Sequence, residues 1–264
     1  MYKTKQFFLS ILIMGLFTLS CSKEDIYLSF NEFQTFSISE TLTTDNSDER
    51  INKTESFCFT DSKLQSGKVT QVIPHFNHTT ECPSSISYAA DITVIGCIVE
   101  KAVYTLNSDG YATSCNLEES GLSRHYQFTY TNGYLSSIYE EVNGNKFFTM
   151  ELSYEKGNLI KTKEHIHNNE YVCNFVSTPE KNVGKLPLHY LTELYPFHFH
   201  KMAMYAGILG KAPNHLIQQV TIEHNTTDSV SYTYQFSNEY ITNCNIKITN
   251  DVATSFRSLH FNYE

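Results

Sequence analysis

The chain has 264 residues and a formal net charge of −9, with 19 Lys and Arg against 28 Asp and Glu. That balance suits neither a nucleic-acid backbone nor electrostatic docking on anionic lipid, so DNA and RNA are not expected as ligands and membrane attachment has to be covalent. With 18 Tyr, 18 Phe, no Trp and 6 Pro, the composition leans toward strands, where aromatic side chains fit a pleated, half-buried surface.

Lys3 and Lys5 precede an apolar run over residues 7–19, broken only by Ser10, Gly15 and Thr18. A basic start followed by a short apolar stretch predicts a secretory signal over residues 1–20, too short for a convincing membrane-spanning helix. Thr18-Leu19-Ser20-Cys21 looks like a lipobox, with Thr18 where Leu is usual, and makes Cys21 the predicted site of lipid attachment. The following Ser22-Lys23-Glu24-Asp25 resembles the surface-export signal of Bacteroidetes lipoproteins. An exported protein anchored at the outer membrane is expected. Residues 21–53, rich in Ser, Thr, Asn, Asp and Glu, read as anchor and tether, although Phe30, Phe33, Phe36 and Ile38 suggest that part of it docks on the body. Residues 54–264 read as a single β-meander domain.

Four stretches share one pattern of strand, tight turn, aromatic or aliphatic residue, strand. They are residues 104–111, 128–135, 152–159 and 234–241. Asn132-Gly133 and Asn143-Gly144 are strong hairpin signals, because a type I′ turn needs positive φ at both central residues. Two-residue loops there place Tyr126, Phe128, Tyr130, Leu135, Tyr139, Phe148, Met150, Leu152 and Tyr154 on one face. They also align Arg124, Glu141 and Lys146 at its edge. Two independent turns giving one apolar face argue for the register, since a one-residue slip inverts it. The same register puts Lys161, Lys163, His165 and His167 on that face, so either the Lys156-Gly157 turn is longer or the sheet meets water there. Glu239 replaces the Gly of the other turns, marking that hairpin as different.

Residues 178–213 hold Pro179, Pro187, Pro196 and Pro213 and form the irregular or helical region. Met202, Tyr205, Ala206 and Leu209 recur at helical spacing, which predicts one short helix near 199–210 that ends at Gly210. Strands resume over 216–224, 230–237, 240–249 and 253–263.

The hairpin Tyr130-Thr131-Asn132-Gly133-Tyr134-Leu135 and the segment Met204-Tyr205-Ala206-Gly207-Ile208-Leu209-Gly210-Lys211-Ala212-Pro213 together resemble Bacteroidetes lipoproteins that carry a domain of unknown function described as porin-like in fold. The resemblance covers roughly residues 120–264, and it implies an antiparallel up-and-down meander curling into a sheet or barrel, with no activity to carry over. The fold class expected is therefore mainly β, with one short helix.

Six cysteines remain beside Cys21. Cys58, Cys82, Cys97, Cys115, Cys173 and Cys244 are candidate disulfide partners in an oxidising compartment, with connectivity open, and none is spaced as Cys-x-x-Cys. The pairs His75/His78, His165/His167 and His198/His200 lack a third ligand at local spacing, so no metal or other cofactor is expected. No Gly-x-Ser-x-Gly or phosphate-loop motif occurs, and Glu140 and Glu141 point to opposite faces of a strand. The sequence thus predicts a non-catalytic envelope protein that binds a glycan or an envelope protein and meets the membrane through lipid on Cys21. Two alternatives stand beside it: a carrier of an apolar ligand in a barrel interior, marked by unfilled volume lined by Phe, Leu and Met, and a hydrolase with carboxylates in a cleft. An integral membrane barrel is disfavoured by the polar residues that alternate with the apolar face.

Overall fold

The computed structural model describes residues 33–43, 50–74, 78–96, 99–166, 169–223 and 225–264. The first eight strands are β1 (Thr35–Thr43), β2 (Arg50–Thr60), β3 (Lys63–Ile73), β4 (His78–Tyr88), β5 (Ile92–Gly96), β6 (Lys101–Leu106), β7 (Ala112–Glu119) and β8 (Leu122–Thr131). Then follow β9 (Tyr134–Val142), β10 (Asn145–Glu155), β11 (Asn158–Ile166), β12 (Asn169–Lys181), β13 (His215–Ile222), β14 (Asn225–Ser237), β15 (Tyr240–Thr249) and β16 (Thr254–Tyr263). Each strand pairs antiparallel with its chain neighbours, and β1 pairs with both β2 and β16, so the predicted meander closes into a sixteen-strand barrel.

Closure corrects the boundary at Thr54. Residues 35–43, read as tether, form a barrel wall, and Phe36 and Ile38 are buried in the core. The signal peptide and Cys21 lie outside the described residues.

Both central residues of the turns are left-handed at Asn132-Gly133 (φ 55 and 83), Asn143-Gly144 (50 and 78) and Lys156-Gly157 (51 and 79). These are the type I′ turns that match strand twist. Asn238-Glu239 adopts the same pair (49 and 70), so that hairpin keeps the turn without a glycine.

A second regularity was hidden in the repeat. On β3, β7, β9, β11 and β15 the register slips by one residue at Gln65, Thr113, Ser136, Ile160 and Thr242. Each bulged residue stands third after the end of its turn, and all five lie at one end of the barrel, the mouth. Bulges bend and twist a strand at a barrel rim. They also exchange the two faces beyond them, which corrects the predicted register in three places. Tyr139 pairs with Gln127 and leaves the apolar face, while Ile138 and Glu140 turn inward. Arg124 bonds Glu119 and Glu140 rather than aligning with Glu141, which pairs with Lys146. On β11, Thr162 is buried while Lys161, Lys163 and His165 keep substantial exposure, Lys161 ion-pairs with Glu223 and Lys163 with Glu170, and His165 lies 3.6 Å from Glu170, so the two-residue turn stands and no wet interior face is needed.

The other members of the predicted face point inward, with Tyr126, Phe148 and Met150 fully buried. Gln127, Thr129, Glu151 and Ser153 alternate with them and are exposed. The outside carries ion pairs such as Lys68–Glu81 at 3.1 Å and Lys163–Glu170 at 3.0 Å. Exposed large apolar side chains on the described strands, such as Ile95, Ile160, Val176 and Phe256, are few beside these polar ones. A lipid-embedded barrel has the opposite polarity, apolar outside and polar inside. No helix among the described residues is long and apolar enough to cross a membrane.

The connection between β12 and β13 fills the lumen. Residues 182–214 descend from the mouth and carry α1 (His189–Glu193), a 3-10 turn (Phe197–His200) and α2 (Lys201–Tyr205). The predicted helix is present, shorter than expected and preceded by a further one. Phe197, Ala203, Tyr205 and Ile208 are buried against the wall, and the Tyr205 ring stacks on Phe57 at 4.0 Å.

At Gly210, φ is +95, and an added Cβ would stand 2.9 Å from the Gly133 carbonyl oxygen. At Gly144, φ is +78 and nothing lies within 4 Å of that position. Gly210→Ala is expected to cost about 2–4 kcal/mol, combining left-handed strain with a backbone clash, while Gly144→Ala costs only about 1 kcal/mol. Urea denaturation midpoints of the two variants check this difference.

Candidate ligand site at the plugged barrel mouth

The plug is held at the mouth by backbone hydrogen bonds to the repeated turns. The Ala112 amide donates to the Ile208 carbonyl (2.8 Å), the Lys211 amide to Gly133 (2.8 Å) and the Asn214 amide to Gly157 (3.0 Å). The Tyr-Ala-Gly-x-Leu-Gly-Lys segment is thus the strip of plug that runs across three successive hairpins. Buried Asn182 clasps the two arms together. Its Nδ2 donates to the Leu186 and Pro213 carbonyls, and its Oδ1 accepts from the Leu186 amide.

Deeper in the barrel the plug is joined to the wall by charge. Lys201 Nζ lies 2.9 and 3.1 Å from the two Glu55 oxygens and 2.8 Å from Glu193. Lys53 binds Glu55 at 2.7 Å, and Arg257 grips Glu40 through two bonds of 2.5 and 2.8 Å. Arg257 and Lys53 each stand 4.0 Å from Glu193. Three carboxylates therefore balance three cations. Burial alone would raise the Glu193 carboxyl, but Lys201 and Lys53 hold it down to about 2. Glu55 is lowered by the same balance of burial against Lys201 and Lys53.

A second buried cluster centres on Arg124. Its Nη1 donates to Glu140 at 2.8 Å and its Nε to Glu119 at 3.0 Å, while Tyr126 and Tyr195 also donate to Glu140. Both carboxylates are thus committed to one guanidinium. Nearby, fully buried His200 shares a 2.8 Å hydrogen bond with Tyr104, and burial followed by His198 lowers it to about 3, so the ring is neutral. Sequence reasoning missed both clusters. The available signal was Glu140 beside Glu141, since one of two adjacent glutamates on a strand has to point inward.

Between the plug and the mouth hairpins lies a cavity of about 710 Å3. Leu135, Leu152, Leu191, Phe197, Met204 and Leu209 are among its apolar walls. Lys181, Lys185 and Lys211 also line it and are exposed, so it opens to solvent. The size falls within the roughly 300–1,000 Å3 of small-molecule sites.

Cys82 is disulfide-bonded, Cys58 is an exposed free thiol, and Cys115, Cys173 and Cys244 are buried free thiols. The last three face inward from β7, β12 and β15, which are not neighbours, and burial pushes the Cys244 thiol up to about 12. Cys21 and Cys97 lie outside the described residues. So do His75 and His167, whereas His78 is exposed on β4 and bonds Thr80. Among the described residues no group of three or more potential metal ligands assembles.

Lys201→Met leaves Glu55 and Glu193 without their shared cation and is expected to cost about 3 kcal/mol or more. The pH dependence has a defined sign. Because the Glu193 carboxyl is depressed on folding, its contribution is complete above about pH 4.5 and is lost as pH falls toward 2. Calorimetric melting across pH 2–7 should show a shallower acid limb in the variant.

The family model described as a domain of unknown function (DUF4595) with porin-like fold matches residues 30–243. A porin-like protein from Bacteroides uniformis ATCC 8492 superposes with a TM-score of 0.79 at 21% identity, covering 88% of this chain and 96% of that one. A porin-like protein from Bacteroides vulgatus ATCC 8482 superposes with a TM-score of 0.59 at 11% identity, covering 88% and 98%. No curated protein matches. At such identities the likeness speaks for the fold. The plugged antiparallel barrel belongs to the family of domains of unknown function with porin-like fold.

Proposed function

We propose that the protein is a lipid-anchored, non-catalytic binding protein of the cell envelope, and that its site is the mouth cavity, which holds an apolar ligand. The observation that carries this reading is an open volume of about 710 Å3 beside Leu135, Leu152, Phe197 and Met204, between the plug and the barrel mouth. Because the cavity opens to solvent past Lys181, Lys185 and Lys211, a ligand can enter it and cover those apolar side chains. A stacked glycan fits less well. The Tyr134 and Tyr154 rings stack on each other at 5.0 Å and Tyr111 on Tyr130 at 5.1 Å, so each has a face already covered. A hydrolase fits less well too, because Glu119 and Glu140 are both tied to Arg124, and Glu140 also accepts from Tyr126 and Tyr195. Export and anchoring at the outer membrane are supported by the basic-then-apolar leader and the small residue before Cys21.

Two measurements test the reading. Purified protein should take up the neutral dye N-phenyl-1-naphthylamine saturably, about one per barrel, with a blue-shifted emission. Ala212→Trp, which puts a large ring into the cavity wall, should weaken uptake at least tenfold with an unchanged melting temperature. Absence of saturable uptake by the unaltered chain removes the proposal. Separately, Cys21→Ser should abolish acyl labelling and release the protein to the soluble fraction, and unchanged membrane retention contradicts the anchor.

A further inference from the structure

We infer that the cavity is built for an anionic amphiphile, a single hydrocarbon chain ending in a carboxylate or phosphate. This rests on the reading of the cavity as an apolar-ligand site and names the chemistry of what enters it. The chain as a whole is acidic, with net charge −9, yet no Asp or Glu lines the cavity. Three lysines do. Lys181 ends β12 in the barrel wall, Lys185 stands on the incoming arm of the plug, and Lys211 on the outgoing arm. Greasy walls and a cationic rim match a molecule that is apolar at one end and negative at the other. Lys181 and Lys185 enter no ion pair among the described residues, so no described carboxylate is bonded to either.

The rim is also held in place. Lys181 and Lys185 flank the clasp made by Asn182, and the Lys211 amide is bonded to Gly133 at 2.8 Å. A lysine is a point charge on a flexible stem, which serves either head group and does not demand the planar, bidentate geometry that an arginine selects.

The topology supplies an independent reason for a membrane-derived ligand. β1 starts at the mouth, where the Gln34 amide donates to the Glu264 carbonyl and the Phe33 ring meets Tyr240 at 5.3 Å. A Cβ placed on Gly184, in the incoming arm, would come within 4.0 Å of that same Tyr240 ring. From Cys21 to Thr35 the fully extended chain reaches at most roughly 50 Å, at about 3.5 Å per residue. A barrel tethered through Cys21 therefore keeps the start of β1, and the mouth beside it, within roughly 50 Å of the bilayer surface.

The test uses the full chain carrying Cys21→Ser, so that no covalent lipid competes, with the bound dye displaced below micellar concentrations at neutral pH. Dodecanoate or dodecyl phosphate is expected to displace the dye at least tenfold more effectively than dodecanol. The stronger of the two anions identifies the head group. Combined Lys181→Gln, Lys185→Gln and Lys211→Gln, all at exposed positions, should erase the preference, so that on the variant both anions displace the dye no better than dodecanol does. Equal displacement by all three compounds, or a preference that survives the triple substitution, overturns the anionic head while the cavity reading stands. A protein that fails to bind the dye at all overturns both.

Discussion

A closed barrel of sixteen strands encloses a lumen too wide for the side chains of its own wall to fill. In membrane porins of that size the space is water, and the inner wall is polar. Here the inner wall is mostly Tyr, Phe, Leu and Ile around two charged clusters, so an open lumen would expose a large apolar surface to solvent. The β12–β13 connection removes that conflict by folding inward and supplying Leu188, Leu191, Phe197, Ala203, Tyr205 and Ile208 as core. Everything else follows from the need to hold this segment in one position. The mouth turns bond to its outgoing arm, Asn182 closes its neck, and its helices carry the charges that meet the wall.

The buried ion pairs fit that purpose better than a purely stabilising one. Desolvating Glu55, Lys201 and Glu193 is costly, and apolar residues of similar size would pack as tightly. An apolar plug in an apolar lumen, however, has few directional contacts to fix its depth and rotation. Lys201 between Glu55 and Glu193 permits one arrangement, and Arg124 between Glu119 and Glu140 permits one for the neighbouring wall. The abundance of tyrosine has a related cause. Tyr88, Tyr130 and Tyr234 provide ring bulk for the interior and donate their hydroxyls to the backbone carbonyls of Leu64, Ala112 and Ile217. Phenylalanine would fill the same volume without those ties.

Much of the wall was legible in the sequence, because its signals are local. Asn132-Gly133 and Asn143-Gly144 specify left-handed turns, and alternation assigned Tyr126, Phe128, Leu135, Met150 and Leu152 to one face. The bulges were not legible, since nothing in the identity of Ser136 or Ile160 separates a bulged residue from a paired one. Tyr139, Arg124 and Lys161 were misassigned for that reason alone. Closure was not legible either, because β1 and β16 are joined by pairing between the two ends of the chain. The cavity depends on where the plug stops short of the wall, a distance that no spacing encodes. The lysines at 181, 185 and 211 look like ordinary surface charges until both arms of the plug are brought together.

The account turns on the plug being an integral part of the folded core, with the apolar wall packed against it. Hydrogen–deuterium exchange on the intact chain addresses this directly. Amides of residues 203–209 should be protected to about the same free energy as those in the centres of β8, β9 and β10, because the plug cannot leave without exposing the wall. Rapid exchange of that segment while the strands remain protected would mean a barrel stable without its filling, and would contradict the account.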